Sequence, residues 1–390
     1  MTAQLSGIHN EDKPSQDQAD PALAAALPGE AEVQRKTWLV NAPVDLLFCC
    51  GGLLWIAVGL HALIVPTGHR GASFFAADSS WAERGFGLFL LASTYLFTYP
   101  HHAATWVRLY PNKELIKKYW HCTLLAPVII AGMMALCITD STAFSWAIRL
   151  NGIVTMQHWV AQCYGIGMIY FSRAGFPLAK MDRSIIWYLC QMLIAVVTLR
   201  LLSSPLAQLH FSMGRKIDPI LLFSPQLAST LENGLFAISG VLFTVLAVRW
   251  FRAKLVPPLA VVALFLTIYR IGLNAADSCV DLFYYGLPLF HSMQYLLVAS
   301  HFHARENQVL GKHESLNWKN FFGGKQMRKY IIGIAALGSS VYVLTPFFLQ
   351  NFGVTYATGL LIAFMGYNFH HIFSDAFIWR LREPAISEKF

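Results

Sequence analysis

The feature that most constrains this chain is a series of apolar stretches that recurs from residue 43 to residue 379. About 20 apolar residues in a helix are enough to cross the hydrocarbon core of a bilayer. Only 13% of the residues are charged, against about a quarter in soluble domains. We therefore predict an all-α protein, a polytopic integral membrane helical bundle with about ten transmembrane helices. The predicted spans cover 43–64, 86–107, 119–138, 144–171, 184–203, 228–250, 256–273, 282–304, 329–350 and 353–379.

The distribution of Lys and Arg predicts the orientation of the bundle. If the N-terminus is cytoplasmic, most of the 29 Lys and Arg residues fall on the inner side, as the positive-inside rule requires. Both termini are then cytoplasmic. The net charge of +8 is explained by these inner loops, and it does not indicate a nucleic-acid partner. The predicted outer-side exceptions are Arg70, Arg84, Arg149, Arg200, Arg215, Lys216 and Arg270.

The ends of the chain differ from its middle. Residues 1–40 are polar and rich in Ala, Pro and Gln, which predicts a disordered cytoplasmic N-terminal tail. Residues 41–383 form the predicted transmembrane domain, and 384–390 form a short cytoplasmic C-terminal tail. The cysteines follow no metal-binding or disulfide spacing, so we expect ordinary buried residues.

The histidines are concentrated on the even-numbered predicted spans. At 1.5 Å per residue, they lie between about 6 and 22 Å from the inner membrane face. Ionisable groups inside a bilayer are costly and usually face the bundle interior, where they mark a functional site. For His121, His303 and His313 we favour simple hydrogen-bonded helix contacts. The candidate metal ligands are His101, His102, His158, His291, His301, His370 and His371.

Polar neighbours extend this set at helical spacing. Asp375 lies four residues after His371, and Gln162 lies four residues after His158, so each pair shares a helix face. Asp375 is a candidate ligand or a group that orients one. We further predict that Gln162 and Tyr164 face the oxygen or substrate side.

This donor set favours a transition metal, because imidazole suits iron, copper and zinc. The set is too large for one tetrahedral zinc ion, and it matches two metal ions with open positions. We predict two non-haem iron ions with molecular oxygen as co-substrate. Such a protein is an oxygenase, hydroxylase or desaturase that takes a lipid-soluble substrate from the bilayer.

The pattern resembles the Brp/Blh family of membrane oxygenases, which cleave carotene to retinal. The similar positions are Pro100-His101-His102, His158, Phe290-His291, and His370-His371 with Asp375. His102 stands where that family has glycine, no aspartate follows in HHAATW, and this chain has more spans. The resemblance covers the four histidine-bearing helices and implies a histidine-ligated iron oxygenase.

Two other functions stay open at this point. The histidines are also compatible with a transporter or metal exporter that uses a histidine relay, or with a haem-binding electron carrier. Since the sequence shows no reductase domain, the oxygenase hypothesis requires either a separate electron-donor protein or a reaction such as dioxygenation that needs no donor. Membrane lipids are the other expected partners. In a bacterium the protein would lie in the inner (plasma) membrane, with its active site toward the cytoplasm.

Overall fold

A computed structural model describes most of the chain between residues 38 and 379. The described residues are 38–64, 80–203, 218, 220–274, 287–310, 314, 316–317, 319, 321 and 324–379. The chain divides into two units, Met1–Gln34 and Arg35–Phe390, and the first lies outside the described residues. The predicted tails, 1–40 and 384–390, also lie outside them, apart from 38–40.

All regular secondary structure in the described residues is helical, which confirms the predicted all-α class. Each predicted apolar window overlaps one helix or a pair of helices. In chain order they are α1 (Ala42–Cys49), α2 (Gly52–Ile64), α3 (Trp81–Ser93), α4 (Tyr99–Leu109), α5 (Lys113–Lys118), α6 (His121–Thr139), α7 (Ser141–Arg173), α8 (Lys180–Ser203), α9 (Pro225–Arg252), α10 (Leu259–Asn274), α11 (Leu287–Glu306), α12 (Lys325–Gln350) and α13 (Tyr356–Ile378).

Four of the described helices, α6, α8, α9 and α12, are long and apolar enough to cross a membrane. A fifth is added if the bent pair α1 and α2 counts as one span. In α9 only 6% of the most apolar window is buried within the protein. An apolar helix surface exposed to this extent needs a partner other than water. The described chain is therefore suited to membrane association, while the ten spans and the cytoplasmic termini stay predictions.

Two prolines explain local widening of the helices. Pro100 and Pro127 each follow, by two residues, a five-residue π-helical turn, Thr94–Thr98 and His121–Leu125 respectively. Proline has no N–H to offer the carbonyl four residues earlier, and in both cases that carbonyl lies inside the π turn. The first of these turns joins α3 to α4 and ends three residues before His101.

The position of α4 is fixed by close packing against α12. A Cβ atom built on Gly338 would lie 2.4 Å from the carbonyl oxygen of Tyr99 and 2.9 Å from the nitrogen of Pro100. Tyr342, one turn further along α12, stacks on Tyr99 with ring centroids 3.7 Å apart. Only glycine therefore allows α12 to approach the backbone of the histidine-bearing helix this closely.

Candidate metal centre

Five of the seven candidate histidines converge at the centre of the bundle. α4 contributes His101 and His102, and α7, α11 and α13 contribute one each, His158, His291 and His371. His371 lies at the middle of the group, with ring centroids 4.5 Å from His101 and 5.0 Å from His158. His101, His102 and His371 are almost completely buried, and His291 is 5% exposed. This arrangement brings together donors from four separate helices.

The ring nitrogen of His371 forms two pairs, with His101 and with His158, and each pair has the spacing of two ligands of one ion. The Nε2 atom of His371 lies 3.1 Å from Nε2 of His101 and 3.2 Å from Nε2 of His158. A metal–nitrogen bond of about 2.0–2.1 Å places two ligand nitrogens about 2.9–3.4 Å apart at angles between 90° and 109°. The observed separations fall in this range.

The surrounding hydrogen bonds determine which nitrogens carry protons. Nδ1 of His101 lies 2.6 Å from the carbonyl oxygen of Thr98, which can only accept, so this nitrogen is the donor. Nδ1 of His371 lies 2.8 Å from the Thr105 hydroxyl, whose own hydrogen is donated to Oδ1 of Asp375. In this network both Nδ1 atoms are protonated, and the two facing Nε2 atoms present lone pairs to each other. The two lone pairs repel each other, and a cation bound by both nitrogens would remove this repulsion.

Thr105 is a residue of the candidate site that the sequence did not predict. Its hydroxyl lies 2.8 Å from three groups: Nδ1 of His371, Oδ1 of Asp375 and the hydroxyl of Tyr295. It is fully buried, and it lies one turn after His101 on α4. The i,i+4 spacing from His101 to Thr105, which places both on one helix face, is the sequence feature that could have identified Thr105. Thr105 fixes the tautomer of His371, as groups around metal ligands commonly do.

Buried polar atoms in the cluster lack hydrogen-bond partners among the described residues. They include Oδ2 of Asp375, Nδ1 of His291 and Nε2 of His102. The Asp375 oxygen lies 3.6 Å from Nε2 of His371 and 4.0 Å from Nε2 of His158. Because burying unsatisfied polar atoms is costly, three such atoms around one group of histidines would suit the binding of a cation.

Among the described residues there are two overlapping groups of candidate ligands, and within each group the ligand atoms lie within 4.8 Å of one another. One group is His101, His291 and His371, and the other is His158, His371 and Asp375. The second is a two-histidine, one-carboxylate set, which is typical of non-haem iron(II) sites. His371 belongs to both groups through one ring, so a second ion would need a further ligand. His102 retains an available Nε2 atom, while its Nδ1 atom lies 2.5 Å from the Tyr342 hydroxyl.

The structure does not bring His370 into this cluster. Its Nδ1 atom accepts a hydrogen bond of 3.2 Å from the indole of Trp106. Its Nε2 atom lies 3.1 Å from the carbonyl oxygen of Cys122 and 3.0 Å from the Tyr110 hydroxyl. Burial raises the pKa of Tyr110, so this hydroxyl stays protonated and can donate to the Thr123 carbonyl at 3.4 Å. Both ring nitrogens of His370 are thus occupied in joining α13 to α4 and α6.

The remaining predicted site residues occupy different surroundings. His301 is fully buried on α11 but belongs to neither group of ligand atoms, and its charged neighbours are Arg173 and Arg305. Gln162 lies beside the cluster, and its amide donates to the carbonyl of His291 at 3.2 Å. The ring of Tyr164 packs against Trp187 on α8, at 5.1 Å, so it lies away from the ligands.

A groove of about 420 Å³ reaches the cluster between α7, α11 and α13. Its volume lies within the range of small-molecule sites. His158 and Asp375 form part of its wall, and exposed residues including Phe373 and Ala376 lie along it. The groove lining consists of Val154, Gln157, His158, Ala161, Gln162, Gly165, Ile166, Ile169, Tyr295, Val298, Ile372, Phe373, Asp375, Ala376 and Trp379.

Comparisons with protein-family models, with curated proteins and with solved structures found no match for this chain.

Proposed function

We propose that this chain is a membrane-embedded, metal-dependent oxidoreductase of the oxygenase, hydroxylase or desaturase type. Its ligands would be His101, His158, His291, His371 and Asp375. The observation that carries the proposal is the position of the His371 Nε2 atom, which lies 3.1 Å from Nε2 of His101 and 3.2 Å from Nε2 of His158. The Oδ2 atom of Asp375, which has no hydrogen-bond partner among the described residues, lies 3.6 Å from the same Nε2 atom.

Iron is the metal that this donor set favours. Two histidines and one carboxylate with open positions are typical of non-haem iron(II) enzymes that use oxygen. When bound, iron supplies the oxygen chemistry, and the protein supplies the ligand geometry and a water-poor surrounding. We keep two iron ions as the proposed stoichiometry, with His102 Nε2 available to the second ion.

The lining of the groove supports the proposal that the substrate is lipid-soluble. Most of its lining is apolar, and its exposed residues lie between helices of a chain suited to a membrane. A substrate would then reach His158 and Asp375 from the side without passing through water. We also propose ten spans with both termini in the cytoplasm, which places the site in the cytoplasmic half of the inner (plasma) membrane of a bacterium. A separate electron-donor protein and membrane lipids would be its partners.

The haem alternative is less well supported by this arrangement. The two axial nitrogens of a haem lie on opposite sides of the iron, so they are about 4 Å apart at ordinary bond lengths. The Nε2 atoms of His371 and His101 are 3.1 Å apart, which leaves no room for a porphyrin plane between them. The transporter alternative is retained as an outcome of the following test.

The test is metal content per chain, measured by mass spectrometry on detergent-purified protein from iron-supplemented cells, with an absorption spectrum of each sample. We expect close to two iron ions per chain and no Soret band. His303 provides a matched control, because its ring stacks on Tyr330 at 4.1 Å, away from the cluster. His303→Ala should keep the iron, and His158→Ala should lose it. Wild-type protein without bound metal would refute the metal centre and favour a transporter.

A further inference from the structure

The groove changes character along its length. Around the level of the candidate ligands it is lined by polar side chains, namely Gln157, His158, Gln162, Tyr295 and Asp375. Toward one end it is lined by Gly165, Ile169 and other apolar residues. A ligand that matches both parts has a polar or reactive end and an apolar tail.

The direction of the groove follows from the three helices that form it. On each helix, apolar lining residues follow the ligand in sequence. Beyond the polar Gln162, the residues Gly165, Ile166 and Ile169 follow His158 on α7, and beyond Tyr295, Val298 follows His291 on α11. Ile372 and Ala376 follow His371 on α13. The apolar part of the groove therefore leads away from the ligand level toward the C-terminal ends of all three helices.

The dimensions of the groove place the candidate ligands near one end. From Val154 to Ile169 the lining spans 15 helical residues, or about 22 Å at 1.5 Å per residue. His158 lies about 6 Å from the Val154 end and about 16 Å from the Ile169 end. A chain lying in the groove would meet the site near its own end.

We propose that the groove binds one long-chain apolar molecule with its tail toward Ile169 and Val298. The position presented to His158 and Asp375 then lies near the head of the chain, within a few bonds of its polar end. This inference rests on the proposed function for the reaction at the site, while the binding and orientation of the chain require no metal. An extended chain advances about 3.3–3.6 Å for every three bonds, so the 16 Å segment accommodates roughly 14 bonds.

Photocrosslinking in detergent micelles tests the orientation. Two hexadecanol probes would be used, one with a diazirine next to the hydroxyl group and one with it next to the terminal methyl group. We expect the head probe to label the segment around Val154 and Gln157, and the tail probe to label the segment around Ile169 and Val298. Labelling of the same residues by both probes would overturn the proposed orientation.

A matched pair of variants tests the groove itself. Ala161→Trp fills its middle and should reduce tail-probe labelling at least tenfold. Gly132→Trp adds the same side chain to α6, at a position where a Cβ meets no atom within 4 Å, and should leave labelling unchanged. Equal labelling of wild type and Ala161→Trp would overturn the inference.

Chain length provides a test on the wild-type protein alone. Unlabelled alcohols of 8, 12, 16 and 22 carbons would compete with the tail probe. Each added methylene should tighten binding by up to about fourfold until the groove is filled, after which affinity should stay constant. A continuous rise through 22 carbons would indicate partition into the micelle and would overturn the inference. Metal content of the same samples separates the two proposals, because correct labelling of metal-free protein would refute only the metal centre.

Discussion

Two adjacent histidines on α13 lie in opposite chemical surroundings. His370 faces α4 and α6, where an indole, a carbonyl and a phenol use both of its nitrogens. His371 faces α4 and α7, where its Nε2 atom meets two other Nε2 atoms. The two side chains have the same donor groups and similar burial. The comparison teaches that metal-binding capacity depends on the lone pairs left after hydrogen bonding, and not on the presence of histidine.

The largest expected effect comes from replacing each member of this pair. In His371→Ala the affinity for iron should fall by at least about 100-fold, since even groups that only orient a ligand contribute 10- to 100-fold. In His370→Ala the metal should remain, while stability falls by about 1–3 kcal/mol because the Cys122 carbonyl and Trp106 indole lose their partner. Metal content and chemical denaturation of both variants provide the measurement. Equal loss of metal from both variants would refute the distinction.

An intermediate effect is expected at Thr105, on the His371 side. Thr105→Val keeps the shape of the side chain but removes the hydroxyl that holds the His371 tautomer and the Asp375 carboxylate. Iron affinity should weaken by about 10- to 100-fold, as measured by competition with a chelator. Thr105→Ser keeps the hydroxyl and should restore most of the affinity. If Thr105→Val binds iron like wild type, the hydroxyl does not orient His371.

The smallest effect is expected on the His370 side. Trp106→Phe removes the indole N–H that donates to His370 but keeps an aromatic ring against Tyr367. Stability should fall by about 0.5–1.5 kcal/mol, the net value of one hydrogen bond, and iron content should not change. A loss of iron in Trp106→Phe would show that the two faces of α13 are coupled, contrary to the comparison above.

The helices were more predictable from the sequence than the site. Apolar windows of helical length mark positions that the described helices occupy, because length and hydrophobicity are local properties. The convergence of His101, His158, His291 and His371 was also expected, since charged or polar groups on apolar helices turn inward. The sequence did not distinguish His370 from His371, because that difference depends on Trp106 and Cys122, which belong to other helices.

The position of the Tyr164 ring and the presence of the groove could not be predicted from the sequence, for a different reason. Tyr164 follows Gln162 by two residues, and the angle between them on a helix turns its ring toward Trp187 and away from the ligands. The groove is formed by small and apolar residues of three helices, such as Gly165 and Val298. None of these residue types signals a ligand site when only one helix is considered.

The spacing of the ligands along the chain has a consequence for biosynthesis. The Nε2 atoms of His101 and His371 lie 3.1 Å apart, although the two residues are separated by 270 positions in the sequence. At about 5–20 residues per second, a ribosome needs roughly 14–54 s to make the intervening segment. During that interval α4 exists without α13, so the donors of the first helices have no common centre. Under the proposed metal centre, folding of α13 onto α4 would determine when the nascent protein can acquire an ion.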